Sequence, residues 1–265
     1  MNDSVREFVL FDAAILQASA HFDALTRCQA AVSLYGDLSS YDAHRFGPWL
    51  LEASTFDAIV PANTSLAVPW RYGISRLTTG GDLSELVAHL ESQRTIAMAA
   101  GDRYYLRFAD TRALATLERV LTSGQTRQLK GPVAHWRYLD RFDAQREFGE
   151  AVSSEPRHQN MIVLSDAQGE RLLELQFAQA LADDVHASSG GALAPHLVAA
   201  QYRQIEVAAL FVLEQGIEPF EVQRHVAAVT VKTGGALLTD MQFLEVVRSA
   251  RASGRWHELM KWRGV

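Results

Sequence analysis

Residues 106–136 contain Leu106-Arg107-Phe108-Ala109-Asp110-Thr111-Arg112-Ala113-Leu114, then Leu121-Thr122-Ser123-Gly124-Gln125, then Lys130-Gly131-Pro132-Val133-Ala134-His135-Trp136. An aromatic-rich strand runs into Asp110, a helix follows, and a Gly-Pro pair leads to a Trp. Asp110 falls where the chain turns from strand to helix, so its carboxylate can accept from the free N–H groups of the first helical turn. Leu114, Leu117 and Leu121 form the apolar stripe of that helix. Thr122 and Gln125 have the spacing of a capping box, which starts a second helix. Pro132 disfavours helical geometry in Gly131 and stops it. Residues 134–139 then read as a strand.

Upstream, strands and helices alternate. Residues 7–11 read as a strand, and residues 14–27 as a helix with Phe22 and Leu25 on its apolar side. Residues 31–35 form a second strand, residues 48–51 a short buried apolar segment, and residues 71–77 another strand. Asp82 lies three residues before Glu85, which predicts a helix start there. Leu83, Leu86, Val87 and Leu90 then share one helical face. Residues 95–99 and 103–108 follow as a hairpin whose tight turn uses Gly101. Interleaving of this kind predicts a mixed sheet flanked by helices.

Downstream the pattern changes. Residues 140–160 are charged and polar with little periodicity and read as a linker or surface excursion. Beyond them the chain is helical. Leu173, Phe177, Ala180 and Leu181 mark one helix. Pro195 suits the first turn of the next, which carries Val198, Tyr202, Ile205, Ala209 and Val212. The run over residues 207–213 is apolar on every side, so its centre is expected in the core of this part. Pro219 opens a helix with Val222, Val226 and Val229, and Asp240 caps another with Phe243 and Val247 inward. The fold class is therefore α+β: a mixed α/β lobe with a central sheet over residues 1–140, a polar linker over 141–160, and an all-helical lobe over 161–265.

Composition sets outer bounds. The chain has 265 residues, 48% hydrophobic and 21% charged, which is ordinary for a globular protein able to bury a core. A single cysteine, Cys28, excludes an internal disulfide and fits a reducing compartment. No stretch approaches the ~18 apolar residues of a membrane span, and the start of the chain lacks a basic signal-peptide pattern. The expected location is the cytoplasm, with no membrane partner. The net charge is -6, without the basic excess of a nucleic-acid binder. Residues 103–137 are locally basic, with Arg103, Arg107, Arg112, Arg119, Arg127, Lys130 and Arg137 against Asp110 and Glu118. That stretch is a solvated face or a dock for an acidic protein surface.

The residue patterns of catalysis and cofactor binding are missing. The nine histidines are scattered, with no His-Glu-x-x-His and no Cys/His pair at ligand spacing, so no metal is expected. His186 and His196 lie across a glycine-rich loop. There is no Gly-x-Ser-x-Gly elbow, no Walker loop and no dinucleotide fingerprint. Cys28 has no evident His partner and reads as an inert thiol. Neither a cofactor nor enzymatic activity is expected. Arg107, Asp110 and Arg112 have two accounts: an architectural corner, or arginines that grip a partner's carboxylates in bidentate fashion. Trp49 and Trp136 sit in apolar segments and read as core. Trp256 and Trp262 lie in a basic C-terminal stretch, either a packed tail or a docking surface.

The order of these motifs resembles the adaptor-chaperone family of bacterial type VI secretion systems, long catalogued only as a domain of unknown function. The resemblance is carried by Leu86-His89-Leu90, by Arg107-Phe108 with Asp110 and Arg112, by Leu114, and by Gly131-Pro132 with Trp136. The family's aromatic before the Asp is Ala109 here, and its Pro after the Asp is Thr111. What the resemblance implies is binding: the protein would hold a cognate toxic effector and promote its loading onto the spike protein of the secretion system. The partner-binding residues would be Arg107, Asp110, Arg112, Arg137, Trp256 and Trp262. Asp82, Phe108, Gly131, Pro132 and Trp136 would form the structural motif. Two alternatives stay open: a small hydrolase-like enzyme with a helical cap, and a structural subunit of the secretion assembly.

Overall fold

The structure is a computed structural model that describes residues 5–38, 40–61, 68–142, 144–150, 161–188 and 199–262. It is α+β, with its strands in a first unit, Met1–Gly169, and a second, helical unit, Glu170–Val265.

The first unit is built on β1 (Arg6–Asp12), whose apolar run is buried on both faces. Asp12 ends the strand and caps α1 (Ala13–Leu16), accepting from the N–H groups of Ala14 and Ile15. The single helix expected over residues 14–27 is broken in two, with α2 at Phe22–Thr26. The cause is local: the Ser19 hydroxyl accepts from His21 N–H at 3.3 Å, drawing the backbone out of the helical ladder. Next come β2 (Val32–Ser33), α3 (Tyr41–Phe46), β3 (Pro48–Glu52), α4 (Ala53–Ile59), α5 (Val68–Arg71) and β4 (Ile74–Thr79). β4 starts later than expected because Arg71 closes α5. Then follow α6 (Leu83–Ser92), β5 (Thr95–Met98) and β6 (Arg103–Tyr105). β6 stops short of Phe108 because the Arg107 carbonyl accepts from Asp110 N–H at 3.1 Å, a turn that aims Asp110 at the next helix. The unit continues with α7 (Thr111–Glu118), α8 (Ser123–Lys130), β7 (Val133–Leu139), β8 (Gln145–Glu147) and β9 (Ile162–Leu164).

Six strands form one sheet in the order β2-β3-β1-β4-β7-β8, and every pair in it is antiparallel. The parallel pairing expected of a mixed sheet occurs in a second sheet, β6-β5-β9, between β5 and β9. On one face of the large sheet Val9, Phe11, Trp49 and Leu51 meet Leu16, Phe22 and Leu25 from α1 and α2 and Phe56 from α4. On the other face the register aligns Phe8 with Leu77 and Leu77 with Trp136. Trp136 is fully buried, with the rings of Phe108 and Phe148 at 6.1 and 5.4 Å.

Phe148 lies inside the stretch read as a polar linker, which the fold revises. β8 pairs with β7, and Phe148 N–H donates to the Trp136 carbonyl at 2.8 Å. Residues 151–160 lie outside the described residues. β9 also belongs to the first unit, so the helical unit starts later than residue 161.

The second unit receives most of α9 (Asp166–Ser188) and holds α10 (Ala199–Gln215), α11 (Phe220–Lys232) and α12 (Met241–Ser253), with 3₁₀ turns at Ala236–Thr239 and Trp256–Lys261. Its core gathers Val212, Ile217, Val222, Val226, Val229, Phe243 and Val247. In two of these helices the structure shows which apolar residues face the core. α9 buries Leu172, Leu175, Ala178, Leu181 and Val185, which leaves Leu173 and Ala180 exposed. In α10 the face of Ile205, Ala208, Ala209 and Val212 is buried, whereas Val207 and Leu213 look outward, since one helix cannot bury its whole circumference against a single layer. Pro195, Val198 and His196 lie outside the described residues.

Candidate functional site

The corner read from the sequence as Arg107, Asp110 and Arg112 is completed by a residue from the far end of the first strand. Asp12 ends β1 and caps α1, and Asp110 follows a turn and caps α7. The Asp110 side chain accepts from Arg112 N–H at 3.0 Å. It also takes a two-pronged hydrogen bond from the Arg112 guanidinium, Nε and Nη2 each at 3.0 Å. Arg112 lies over the Tyr72 ring at 5.7 Å. Its guanidinium is therefore occupied within the fold.

Arg107 is placed differently. Its Nη2 donates to Asp12 at 3.2 Å and lies 3.6 Å from the Asp110 carboxylate. The carboxylates are 8% and 5% exposed, while the Arg107 side chain is 57% exposed. Two nearly buried anions thus hold one end of a planar cation and leave its other donors facing water. Burial raises the Asp12 pKa above the usual carboxylate value, and Arg107 opposes that rise. Tyr35 stands close to this corner: burial first, then the Asp12 charge, push its hydroxyl up to about 12. The Tyr35 ring lies 5.6 Å from that of Tyr105. Tyr104 and Tyr105 are 52% and 57% exposed on β6, and Arg103 beside them is exposed as well. The corner therefore presents Tyr105 and Arg107 on a rigid base of buried carboxylates.

Thr111 explains a departure from the motif. At the first helical position, where a Pro would fit, its N–H donates to the Tyr72 carbonyl at 2.7 Å and its hydroxyl to the Leu139 carbonyl at 2.8 Å. Proline could make neither bond. Ala109 is 2% exposed.

The structural motif residues each have a physical task. Asp82 caps α6 by accepting from Glu85 N–H at 2.9 Å. Phe108 and Trp136 pack edge to face. Gly131 has a φ of 55° and approaches the His89 imidazole so closely that a β-carbon there would collide with the ring. His89 Nε2–H donates to the Leu129 carbonyl at 3.0 Å, and burial lowers its pKa. The Pro132 carbonyl accepts from the Thr79 hydroxyl at 2.9 Å.

Arg137, Trp256 and Trp262 each have partners of their own within their units. Arg137 sits on β7 in register with Arg76 on one side and Glu147 on the other, exposed on the sheet face. Trp256 and Trp262 belong to the second unit and pack against its core, with the Trp262 ring 5.7 Å from Phe243. The Trp262 carbonyl is hydrogen-bonded to the His225 ring at 2.7 Å. That arrangement fits the packed tail.

Sequence reasoning missed Asp12, Tyr35, Tyr104 and Tyr105. Asp12 was visible as a lone acid closing an apolar strand just before Ala13-Ala14-Ile15-Leu16, an N-cap pattern. Its pairing with Arg107, 95 positions away, was not. Among the described residues no three His, Cys, Asp or Glu side chains gather where they could hold a metal ion. Nor is any described helix long and apolar enough to cross a membrane.

Comparison with known proteins gives one match. A family model described as a domain of unknown function, DUF4123, matches residues 8–128. The matched segment runs from β1 into α8. It includes the whole Asp12–Arg107–Asp110–Arg112 corner and stops before Gly131, Pro132 and Trp136. No curated protein and no solved structure matches the chain.

Proposed function

We propose that this protein is an adaptor-chaperone of a type VI secretion system, which binds a cognate effector protein in the cytoplasm and promotes its loading onto the spike protein. The matched family is associated with such adaptors, and the same segment carries the motif by which the chain resembles them. The observation that carries the reading is the exposed pair of Arg107 and Tyr105, the latter packed on Tyr35 beside the Asp12–Arg107 contact. Tyr and Arg dominate the energetics of protein interfaces because they offer large contact area and directed hydrogen bonds. Arg107 is held in place before any partner arrives, so little side-chain entropy is lost when its free donors meet a carboxylate.

The function is binding, with no chemical step. An effector segment with acidic and apolar side chains would lie on Tyr105 and pair with Arg107. Co-expression with the effector encoded beside this chain, followed by affinity purification, tests the reading. The expected result is a co-purifying complex and a gain in soluble effector, both reduced by Arg107→Glu. Failure of the wild-type chain to retain the effector or alter its solubility would refute it.

A further inference from the structure

A second polar anchor is formed by α2 and α3, with residues that do not take part in this corner. Ser40 caps α3 by accepting from Ala43 N–H at 3.3 Å. This places Tyr41 and Arg45 four residues apart on one helical face. The Phe46 ring stacks on Phe22 of α2, centroids 5.9 Å apart and planes within 12°. The Arg45 guanidinium lies over both rings, 5.1 Å from Phe46 and 5.5 Å from Phe22, with the Tyr41 ring at 6.0 Å. Arg45, Phe22 and Phe46 border an open notch of about 450 Å³ that is also lined by Gln17, Ser19, Ala20 and Asp23, and Tyr41 lies beside it on α3.

Arg45 has no counter-ion among the described residues. None of the ion pairs among the described residues includes it, and Asp23 at the rim faces Arg27 at 3.8 Å. A guanidinium held beside aromatic rings by cation–π attraction is not consumed by them and keeps N–H donors for a further acceptor. Water satisfies them in the free protein, but the aromatic walls lower the local dielectric once a ligand covers them. A carboxylate arriving there gains a charge-assisted, two-pronged hydrogen bond in a site that already supplies apolar contact. Tyr41, 69% exposed, offers a ring for an apolar neighbour of that carboxylate.

We infer that the Arg45–Phe22–Phe46–Tyr41 notch is a recognition site for an acidic side chain, Asp or Glu, flanked by apolar residues in a partner polypeptide. It deepens the adaptor reading and rests on it for the partner's nature. The commitment to a polypeptide follows from the combination of one charge with three rings: an isolated small anion would use the charge and leave the rings idle.

The test uses the full chain and amidated, acetylated pentapeptides in which Leu, Val or Phe flank a central Glu, together with the matching Gln set, followed by fluorescence polarisation. At least one Glu peptide should bind tenfold or more tightly than its Gln counterpart. Arg45→Gln should abolish that difference, and Arg45→Lys, which keeps the charge without the planar fork, should retain only part of it. Thermal melting of Arg45→Lys should stay close to wild type, and that of Arg45→Gln should fall only by the small loss of its cation–π contacts. Equal binding of every Glu and Gln pair, or discrimination that survives Arg45→Gln, would overturn the proposal. So would selective binding of Gln peptides bearing a free C-terminal carboxylate, which would assign the notch to a chain end. The co-purification assay separates the two claims. An effector retained equally by wild type and Arg45→Gln sinks the notch and spares the adaptor reading. An effector retained by neither sinks the adaptor reading, and the peptide comparison still decides the notch.

Discussion

Asp110 and Arg107 share a corner but belong to different balances of energy. Asp110 is almost buried and satisfies both a helix terminus and the Arg112 fork. Asp110→Ala would remove the cap, which alone is worth about 1 kcal/mol. It would also strand the part-buried Arg112, so the expected loss is larger, about 2 kcal/mol or more, in urea denaturation. Arg107→Ala removes a cation that is 57% exposed but leaves the nearly buried Asp12 carboxylate without it, so it should also cost stability, about 1 kcal/mol or more. If Arg107 serves the partner, Arg107→Lys, which keeps a cation beside Asp12 but loses the planar fork, weakens the complex while leaving the melting curve nearly unchanged. A parallel loss of both would return Arg107 to architecture. Gly131 is the second residue whose identity is forced. Its positive φ disfavours any side chain, and a β-carbon would run into His89. Gly131→Ala should cost more than about 1 kcal/mol from the backbone alone, with the collision added to it. The collision term should shrink when His89→Ala opens the space. A double-mutant cycle coupling of about 1 kcal/mol in urea is expected, and additive losses would show that the imidazole is not the obstacle.

At the scale of elements, the first unit joins helices through their starting turns. Thr122 and Gln125 form the expected capping box on α8, and Ser165 with Gln168 repeats the arrangement at α9. The two glutamines then meet: Gln168 Nε2 donates to Gln125 Oε1 at 2.7 Å, and Gln125 Nε2 donates to the Val163 carbonyl at 2.8 Å. Each amide closes its own helix and holds the other. Gln125→Ala and Gln168→Ala should therefore be non-additive, with a coupling of about 0.5–2 kcal/mol in denaturant unfolding. Strict additivity would mean the amides act only as separate caps. This pair marks the limit of what the sequence discloses. Local signals were legible: the Asp82, Asp110, Thr122 and Asp240 caps, the Leu86–Leu90 stripe, and the apolar run of β1 all follow from spacing along a few residues. The α+β class followed from their order. What stayed hidden depends on long-range register. No local pattern says that β1 pairs with both β3 and β4, that Phe148 returns to cover Trp136, or that Asp12 receives Arg107. The split of α1 from α2 was hidden for another reason: Ser19 competes for the backbone at a position where hydrophobic spacing alone favours a continuous helix. The same blindness applies to Arg45, whose three rings come from two short helices with no motif between them.

For the molecule as a whole, acid sensitivity should be traceable to buried groups of the first unit, and the sign can be worked out. His89 has its pKa lowered below 6.5, mainly because burial penalises the imidazolium. The unfolded chain, with an ordinary imidazole, therefore takes up this proton at higher pH than the folded one. Its contribution to stability is fully present above 6.5 and is lost as pH falls through the lower, folded pKa. Asp12 runs the other way. Burial raises its pKa above 3.8, so the folded protein binds that proton more readily and stability decreases as pH rises through the folded value. The two act with opposite sign as pH falls, so a fall in stability on going from neutral toward pH 5 belongs to His89 and not to Asp12. Because the chain divides into two units, unfolding must be followed by a probe specific to the first. Trp136, sealed between Phe108 and Phe148, provides one in a variant with Trp49, Trp70, Trp256 and Trp262 replaced by Phe. In that background the urea midpoint should drop as pH falls from about 7 to about 5, the window set by an imidazole that titrates near 6.5 when unfolded. His89→Gln keeps a side-chain donor for the Leu129 carbonyl but cannot take up a proton, so it should flatten the slope over that interval. An unchanged slope in His89→Gln would mean that the acid sensitivity arises elsewhere and that the imidazole remains neutral at no cost to the fold.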